Sequence, residues 1–205
     1  MRKLLWLLFK IFYRYEIYGR KNFPESGAGL ICSNHQSHLD PMLVGTTCTK
    51  RMNFLGKKDL FRVPLLGPLI RFLDAIPIDR EGILSISGIK ETLTRLRRGE
   101  LVLMFPEGTR TPDGTLQQIL PGISALARRS RAPIVPVGVS GAFRAWPKSR
   151  KFPVPGPKIR VVIGRPIPFD EFSALDDDGL ISLLQQRMEA VFHAAENKTA
   201  VSDVI

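Results

Sequence analysis

The chain has 205 residues, 44% of them hydrophobic and 24% charged, which suits one globular domain and excludes a disordered chain. Its net charge of +11 points to an anionic partner, yet aromatics are only 8% and do not alternate with basic residues, which argues against a nucleic-acid reader and favours a membrane surface or a phosphorylated ligand. The two cysteines, Cys32 and Cys48, form no CxxC pair and are too few for a disulfide framework, so a reducing, cytoplasmic setting is the default.

At the N-terminus, Met1-Arg2-Lys3 precedes the apolar run from Leu4 to Phe9, and Lys10, Tyr13 and Arg14 follow. The run is far shorter than the roughly 20 residues that span a bilayer. A secretory signal fits poorly, because Lys10 and Arg14 interrupt the core and no small-residue cleavage site follows. Leucines mixed with aromatic and basic residues predict a helix lying in a membrane interface over residues 1–17; a first helix packed into the core is the alternative. Residues 18–198 read as one domain and 199–205 as a frayed tail.

Further along, residues 16–20 predict a short strand and 24–27 a turn. A buried strand is expected over 29–32, a helix over 41–47 and a strand end at 53–56. Pro64, Gly67 and Pro68 break the apolar segment after that. Residues 75–78 read as a strand, with Pro77 restricting it to an edge or a bulge. Ile83, Ile86, Ile89, Leu93 and Leu96 recur at helical spacing, and Gly99 suits the C-cap. Strands follow over 101–105, 134–139 and 159–163, with a helix over 121–130 and a final amphipathic helix over 175–196. This alternation predicts an α/β fold: one domain, with a mixed, largely parallel sheet flanked by helices. The basic charge is uneven, since residues 114–169 hold ten Lys or Arg and no acid.

Three polar clusters directly follow strands: His35 to Asp40, Asp79-Arg80, and Glu107 to Arg110. Parallel strands would put all three on one sheet edge, where open α/β sheets bind ligands. In the first cluster, five residues separate His35 from Asp40, which is about 140° on a helix, so the pair meets only across a bent segment. Asp40-Pro41 suits the start of a helix, with Asp40 as N-cap and free to curl back onto the imidazole. A carboxylate on one ring nitrogen leaves the other as a general base; a satisfied structural histidine is the plainer reading. A metal site from Cys32, His35, His38 and Asp40 is disfavoured, because all four fall on one short stretch and no distant cluster adds ligands. No GxSxG nucleophile motif and no GxxxxGK[ST] phosphate loop is present. A base here would therefore act on a substrate hydroxyl. Arg80, Arg110 and Lys57 offer cations for phosphate, although Arg80 could pair with Asp79 and Arg110 with Asp113. Glu107 could hold an arginine or accept a substrate hydroxyl.

Asn34-His35-x4-Asp40, then Ile78-Asp79-Arg80, then Phe105-Pro106-Glu107-Gly108-Thr109-Arg110, then Ile134-Val135-Pro136-Val137, resembles in this order the 1-acylglycerol-3-phosphate acyltransferase (PlsC-like) family of glycerolipid acyltransferases. The resemblance covers residues 18–168 and implies a membrane enzyme of phospholipid biosynthesis. It would move an acyl group from acyl-CoA or acyl carrier protein to lysophosphatidic acid, with no cofactor and no metal. The same resemblance implies His35 as base and Asp40 as its orienter. It implies acceptor contacts from Arg80, Glu107, Gly108, Thr109 and Arg110, with Lys57 near the phosphate. Other lyso-lipids or glycerol 3-phosphate as acceptor, and lipid binding without turnover, are the competing readings. The chain departs from the family pattern at Thr111, where serine is common, and at Asp74-Ala75, where a glycine is common.

Overall fold

The computed structural model describes residues 2–62, 64, 66–72, 75–78 and 86–205. Within them the chain runs α1 (Arg2–Tyr13), β1 (Glu16–Tyr18), β2 (Gly29–Ser33), α2 (Asp40–Thr47), β3 (Met52–Lys57), α3 (Leu66–Phe72), β4 (Ala75–Ile78) and α4 (Ile86–Arg97). It continues through β5 (Leu101–Met104), α5 (Gly122–Ser130), β6 (Ile134–Ser140), α6 (Ala142–Ala145), β7 (Arg160–Ile163), α7 (Phe169–Ser173), α8 (Asp177–Glu196) and α9 (Val201–Val204). Seven strands make one sheet in the order β1-β7-β6-β2-β5-β3-β4, parallel at every junction except β6–β7.

Strand periodicity sorts the side chains into two cores. Ile31, Leu103 and Val137 face α1 and α2, packing with Phe9, Tyr13, Leu43 and Val44. Leu30, Cys32 and Val102 face α4, α5 and α8, packing with Leu93, Ile123, Leu126, Leu180 and Leu184. β2 is buried on both faces along its whole length, which is why its sequence reads as an apolar run. α8 lies directly on β6: a Cβ at Gly138 would stand 2.2 Å from the Val191 carbonyl oxygen, so only glycine allows the approach. Pro77 sits in β4 at the sheet edge, the position in a sheet where proline is tolerated.

Several expectations change. α3 contains Gly67 and Pro68, which were expected to break the segment. Both fall in its first turn, where a helix needs no N–H from proline. β1 stops at Tyr18, because Gly19 turns left-handed at φ 76° and a 3-10 turn follows. Ile86, expected on the buried face of α4, is the helix's first residue and exposed; Ile83 lies outside the described residues. Residues 199–205 are not frayed: Val201 is buried, and Arg165 donates its backbone N–H to the Val204 carbonyl at 2.9 Å and its Nε to that of Ile205 at 3.0 Å. Among the described residues no helix is long and apolar enough to cross a membrane.

Candidate active site

The site forms where the carboxyl ends of β2 and β5 meet. After β2, the Asn34 side chain pairs with β6 as though it were backbone. Its Nδ2 donates to the Val139 carbonyl at 2.9 Å and its Oδ1 accepts from the Val139 N–H at 2.7 Å. The main chain is thereby free to leave the sheet and turn. Asp40, fully buried, gathers that turn: its Oδ2 accepts from His35 Nδ1 at 2.8 Å and from the backbone N–H groups of Gln36 and Ser37, each at 2.7 Å. Asp40 is the first residue inside α2 rather than its cap, which is Leu39. Its carboxylate is spent on the turn before the helix. Because that oxygen is an acceptor, His35 carries its proton on Nδ1 and presents a lone pair on Nε2. The imidazole, 19% exposed, stacks on Phe105 with centroids 3.9 Å apart and planes 14° apart.

The loop after β5 supplies the rest. Glu107 is buried; its Oε1 accepts from the His35 N–H at 2.7 Å and its Oε2 from the Gln117 N–H at 3.1 Å. Burial pushes its carboxyl up to about 7 despite those two amides, and the charge of Asp40 adds to the rise. The Thr111 N–H donates to the His35 carbonyl at 2.8 Å, so both sides of the His35 peptide are tied to this loop. Gly108 reverses the chain at φ 72°, and a Cβ there would stand 2.5 Å from Leu120 Cδ1. Arg110 donates from Nη1 to His38 Nε2. His38 lies against the Trp146 ring at 4.9 Å. Desolvation pushes its imidazole down to about 4, and the charges of Arg110 and His35 add to that, which keeps the ring neutral as the acceptor of the arginine bond.

The structure thus brings His35, Asp40, Glu107, Gly108 and Arg110 together, with Thr109 exposed on the same loop. Arg80 lies outside the described residues, as does the side chain of Lys57, whose backbone ends β3. Arg110 does not pair with Asp113, which binds Thr111 and Thr115 instead. Each Glu107 oxygen already accepts from a backbone donor, so the buried carboxylate braces the His35 peptide and the Gln117 loop. Cys32 is buried in the opposite core, away from the two histidines. The amides of His35, Gln36, Ser37 and His38 are all committed to protein acceptors, so an oxyanion must draw its donors from elsewhere. Residue periodicity gave no hint of Asn34 as a strand surrogate, Phe105 as the stacking partner or Gln117 as the second Glu107 donor. Only the adjacency of Asn34 to His35 and of Phe105 to Glu107 could have raised the first two.

A model of the Acyltransferase family matches residues 14–140, more than half of the chain, with His35, Asp40, Glu107, Gly108 and Arg110 inside the match. The chain belongs to the Acyltransferase family. It is 27% identical over 184 residues to the 1-acyl-sn-glycerol-3-phosphate acyltransferase of Bacillus subtilis (strain 168), covering 89% of this chain and 88% of that one. It is 35% identical over 153 residues to the enzyme of the same name from Pseudomonas aeruginosa, covering 74% of this chain and 58% of that one. It spans about half the length of the chloroplast relatives it matches. The crystal structure of the 1-acyl-sn-glycerophosphate (LPA) acyltransferase PlsC from Thermotoga maritima superposes with a TM-score of 0.80 at 25% identity, covering 97% of this chain and 78% of that one.

A cavity of about 500 Å³ opens on the α1–α2 face of the sheet. Leu5, Pro41, Met42, Gly45, Phe54 and Leu103 make its apolar wall, and Arg2, Lys50 and Arg71 stand at its border.

Proposed function

We propose that this chain transfers a fatty acyl group from acyl-CoA or acyl carrier protein to the free sn-2 hydroxyl of 1-acylglycerol 3-phosphate, giving phosphatidic acid. The observation that carries this reading is the imidazole of His35. It is held on Nδ1 by a buried carboxylate, with no partner on Nε2 among the described residues, on a turn tied to the loop that bears Arg110. His35 takes the hydroxyl proton as the oxygen attacks the thioester carbonyl; the tetrahedral intermediate then collapses and the thiol leaves. Asp40 stabilises the imidazolium formed on the way. The Arg110 guanidinium meets the acceptor phosphate, with Lys57, Arg80 and Thr109 as further contacts, and so sets the hydroxyl beside Nε2. The thioester is already activated, so the step calls for no metal, no cofactor and no acyl-enzyme. The names of the Bacillus and Pseudomonas relatives favour this acceptor.

The test is thiol release from oleoyl-CoA with lysophosphatidic acid in detergent micelles, with phosphatidic acid detected directly. Acceptor-dependent release supports the reading. Turnover only with glycerol 3-phosphate or another lyso-lipid would reassign the acceptor, and lipid binding without turnover would overturn catalysis.

The acyl chain fits the apolar cavity beside α2. A Cβ at Gly45 would meet nothing within 4 Å, so the side chain of Gly45→Leu starts into open space at the lining of this cavity. It is expected to leave the fold intact, since replacing an interior helical glycine commonly gains about 0.5–1 kcal/mol. It should also shift the preferred donor to shorter chains. An unchanged chain-length profile in a folded Gly45→Leu variant places the acyl chain elsewhere.

A lipid acceptor also accounts for α1. Leu4, Leu7, Leu8 and Ile11 are exposed at spacings of three and four, on the side opposite the buried Phe9 and Tyr13. With Lys3, Lys10 and Arg14 around it, this face suits a helix lying in one leaflet. The reading is of a monotopic enzyme at the cytoplasmic face, where Cys32 and Cys48 remain free thiols.

A further inference from the structure

α1 is not alone on its side of the molecule. Between α6 and β7 the chain makes a loop, residues 147–158, in which every residue from 148 to 156 is exposed. Its sequence joins four prolines to Lys148, Arg150, Lys151 and Lys158, with Phe152 and Val154 between, and holds no acid. Phe152 is 68% exposed, with Lys151 Nζ 5.6 Å from its ring centre.

The loop is pinned along its length. Trp146 Nε1 donates to the Arg150 carbonyl at 3.0 Å, and the Val154 N–H donates to that of Ala145 at 2.9 Å. The Gly156 N–H donates to the Phe12 carbonyl at 2.9 Å, and Arg14 returns a bond to the Gly156 carbonyl at 3.0 Å. These last two bonds seat the loop against the end of α1, where Ile11 and Phe12 are 65% and 50% exposed. Phe152 and Val154 thus stand exposed on a loop that is fastened to the C-terminal end of α1. Proline at 153, 155 and 157 removes N–H donors that would otherwise lose water at a lipid surface. A phenylalanine flanked by lysine and arginine is the composition that enters a headgroup region while its cations meet lipid phosphate.

The stem of the same loop walls the active site. The Trp146 carbonyl accepts from Ser37 Oγ at 2.8 Å and from the His38 N–H at 3.3 Å, and its ring backs His38, the partner of Arg110. We propose that residues 147–158 form a second membrane-binding element, inserted beside α1 into a bilayer containing anionic lipid, which seats the mouth of the His35 site at the lipid surface. The inference rests on the reading of α1 as an interfacial helix.

Flotation with phosphatidylcholine vesicles, with and without phosphatidylglycerol, tests it on the full chain. Wild type should bind the anionic vesicles far more than the neutral ones. The double variant Phe152→Ser with Val154→Ser should weaken binding to anionic vesicles about tenfold or more. Lys148→Gln and Lys151→Gln should each weaken it about fivefold on anionic vesicles and change nothing on neutral ones. All these side chains are exposed, so unchanged melting temperatures are expected and mark the variants as folded. Wild-type binding by the folded double variant overturns the loop's role and leaves α1 as the sole anchor. Equal binding of wild type to both vesicle types overturns the role of the cations. If wild type binds neither vesicle yet turns over in micelles, the membrane reading of α1 and the inference fall together while the acyl-transfer reading stands.

Discussion

His35→Ala is expected to lower acyl transfer to lysophosphatidic acid at least about 100-fold, since positioned general-base catalysis typically contributes 10²–10⁴-fold. That factor is about 3–5 kcal/mol of barrier. The loss should fall on kcat, because the proton is transferred only as the hydroxyl attacks and the phosphate contacts are untouched. The fold should survive the change. Asp40 keeps the Gln36 and Ser37 amides as donors, and Glu107 and Thr111 still hold the peptide at position 35. What goes is the ring stacked on Phe105 and one hydrogen bond. Asp40→Ala differs in kind: it removes the acceptor from two buried amides, each costing about 1–3 kcal/mol when left unpaired, and so should lower stability and activity together. The check is thiol release at saturating acceptor beside a thermal melt. Activity persisting in a folded His35→Ala protein would remove His35 from the chemistry and leave it a structural histidine of the turn.

The dyad was legible in the sequence because its chemistry is local. His35 and Asp40 lie on one short segment between an apolar strand and a helix-starting proline, and the only missing element was a bend. The strand order around it was less so. The sequence alternates strands and helices, but nothing in β6 or β7 announces that this pair alone runs antiparallel. α3 was misread because a Gly-Pro pair breaks a helix interior yet is tolerated in a first turn, and spacing alone does not say where the helix begins. The C-terminal residues were read as frayed because termini usually are; the burial of Val201 against β7 and α8 is a long-range contact with no sequence pattern. Glu107 is the instructive case. Its residue type invites a role toward substrate, and its partners, two backbone N–H groups, carry no side-chain identity for a sequence to reveal.

That geometry gives Glu107 a distinct expected signature. It is a strut holding the peptide of His35, so Glu107→Gln should lower kcat with little change in KM for the acceptor. One oxygen remains for one amide, but the new NH₂ group faces the other N–H, donor against donor. A shift of about 1 Å in the base can cost about 100-fold. A carboxylate that gripped the acceptor would instead raise KM. The pH dependence of stability separates the two roles further. Burial raises the folded-state pKa of Glu107 to about 7, above its ordinary value near 4.5. Between those limits the native state holds a proton that the unfolded chain releases, so stability is highest below pH 4.5 and falls as pH rises through 7. The full loss is on the order of 3 kcal/mol. Glu107→Gln cannot titrate and should lack this decline. Melting temperatures measured from pH 4 to 8 should therefore converge or cross, the variant lying below wild type in acid and gaining on it toward neutral pH. Parallel curves for the two proteins would mean that Glu107 stays ionised in the fold at acid pH, its two amides outweighing its burial. A rise in acceptor KM at constant kcat would return it to the substrate.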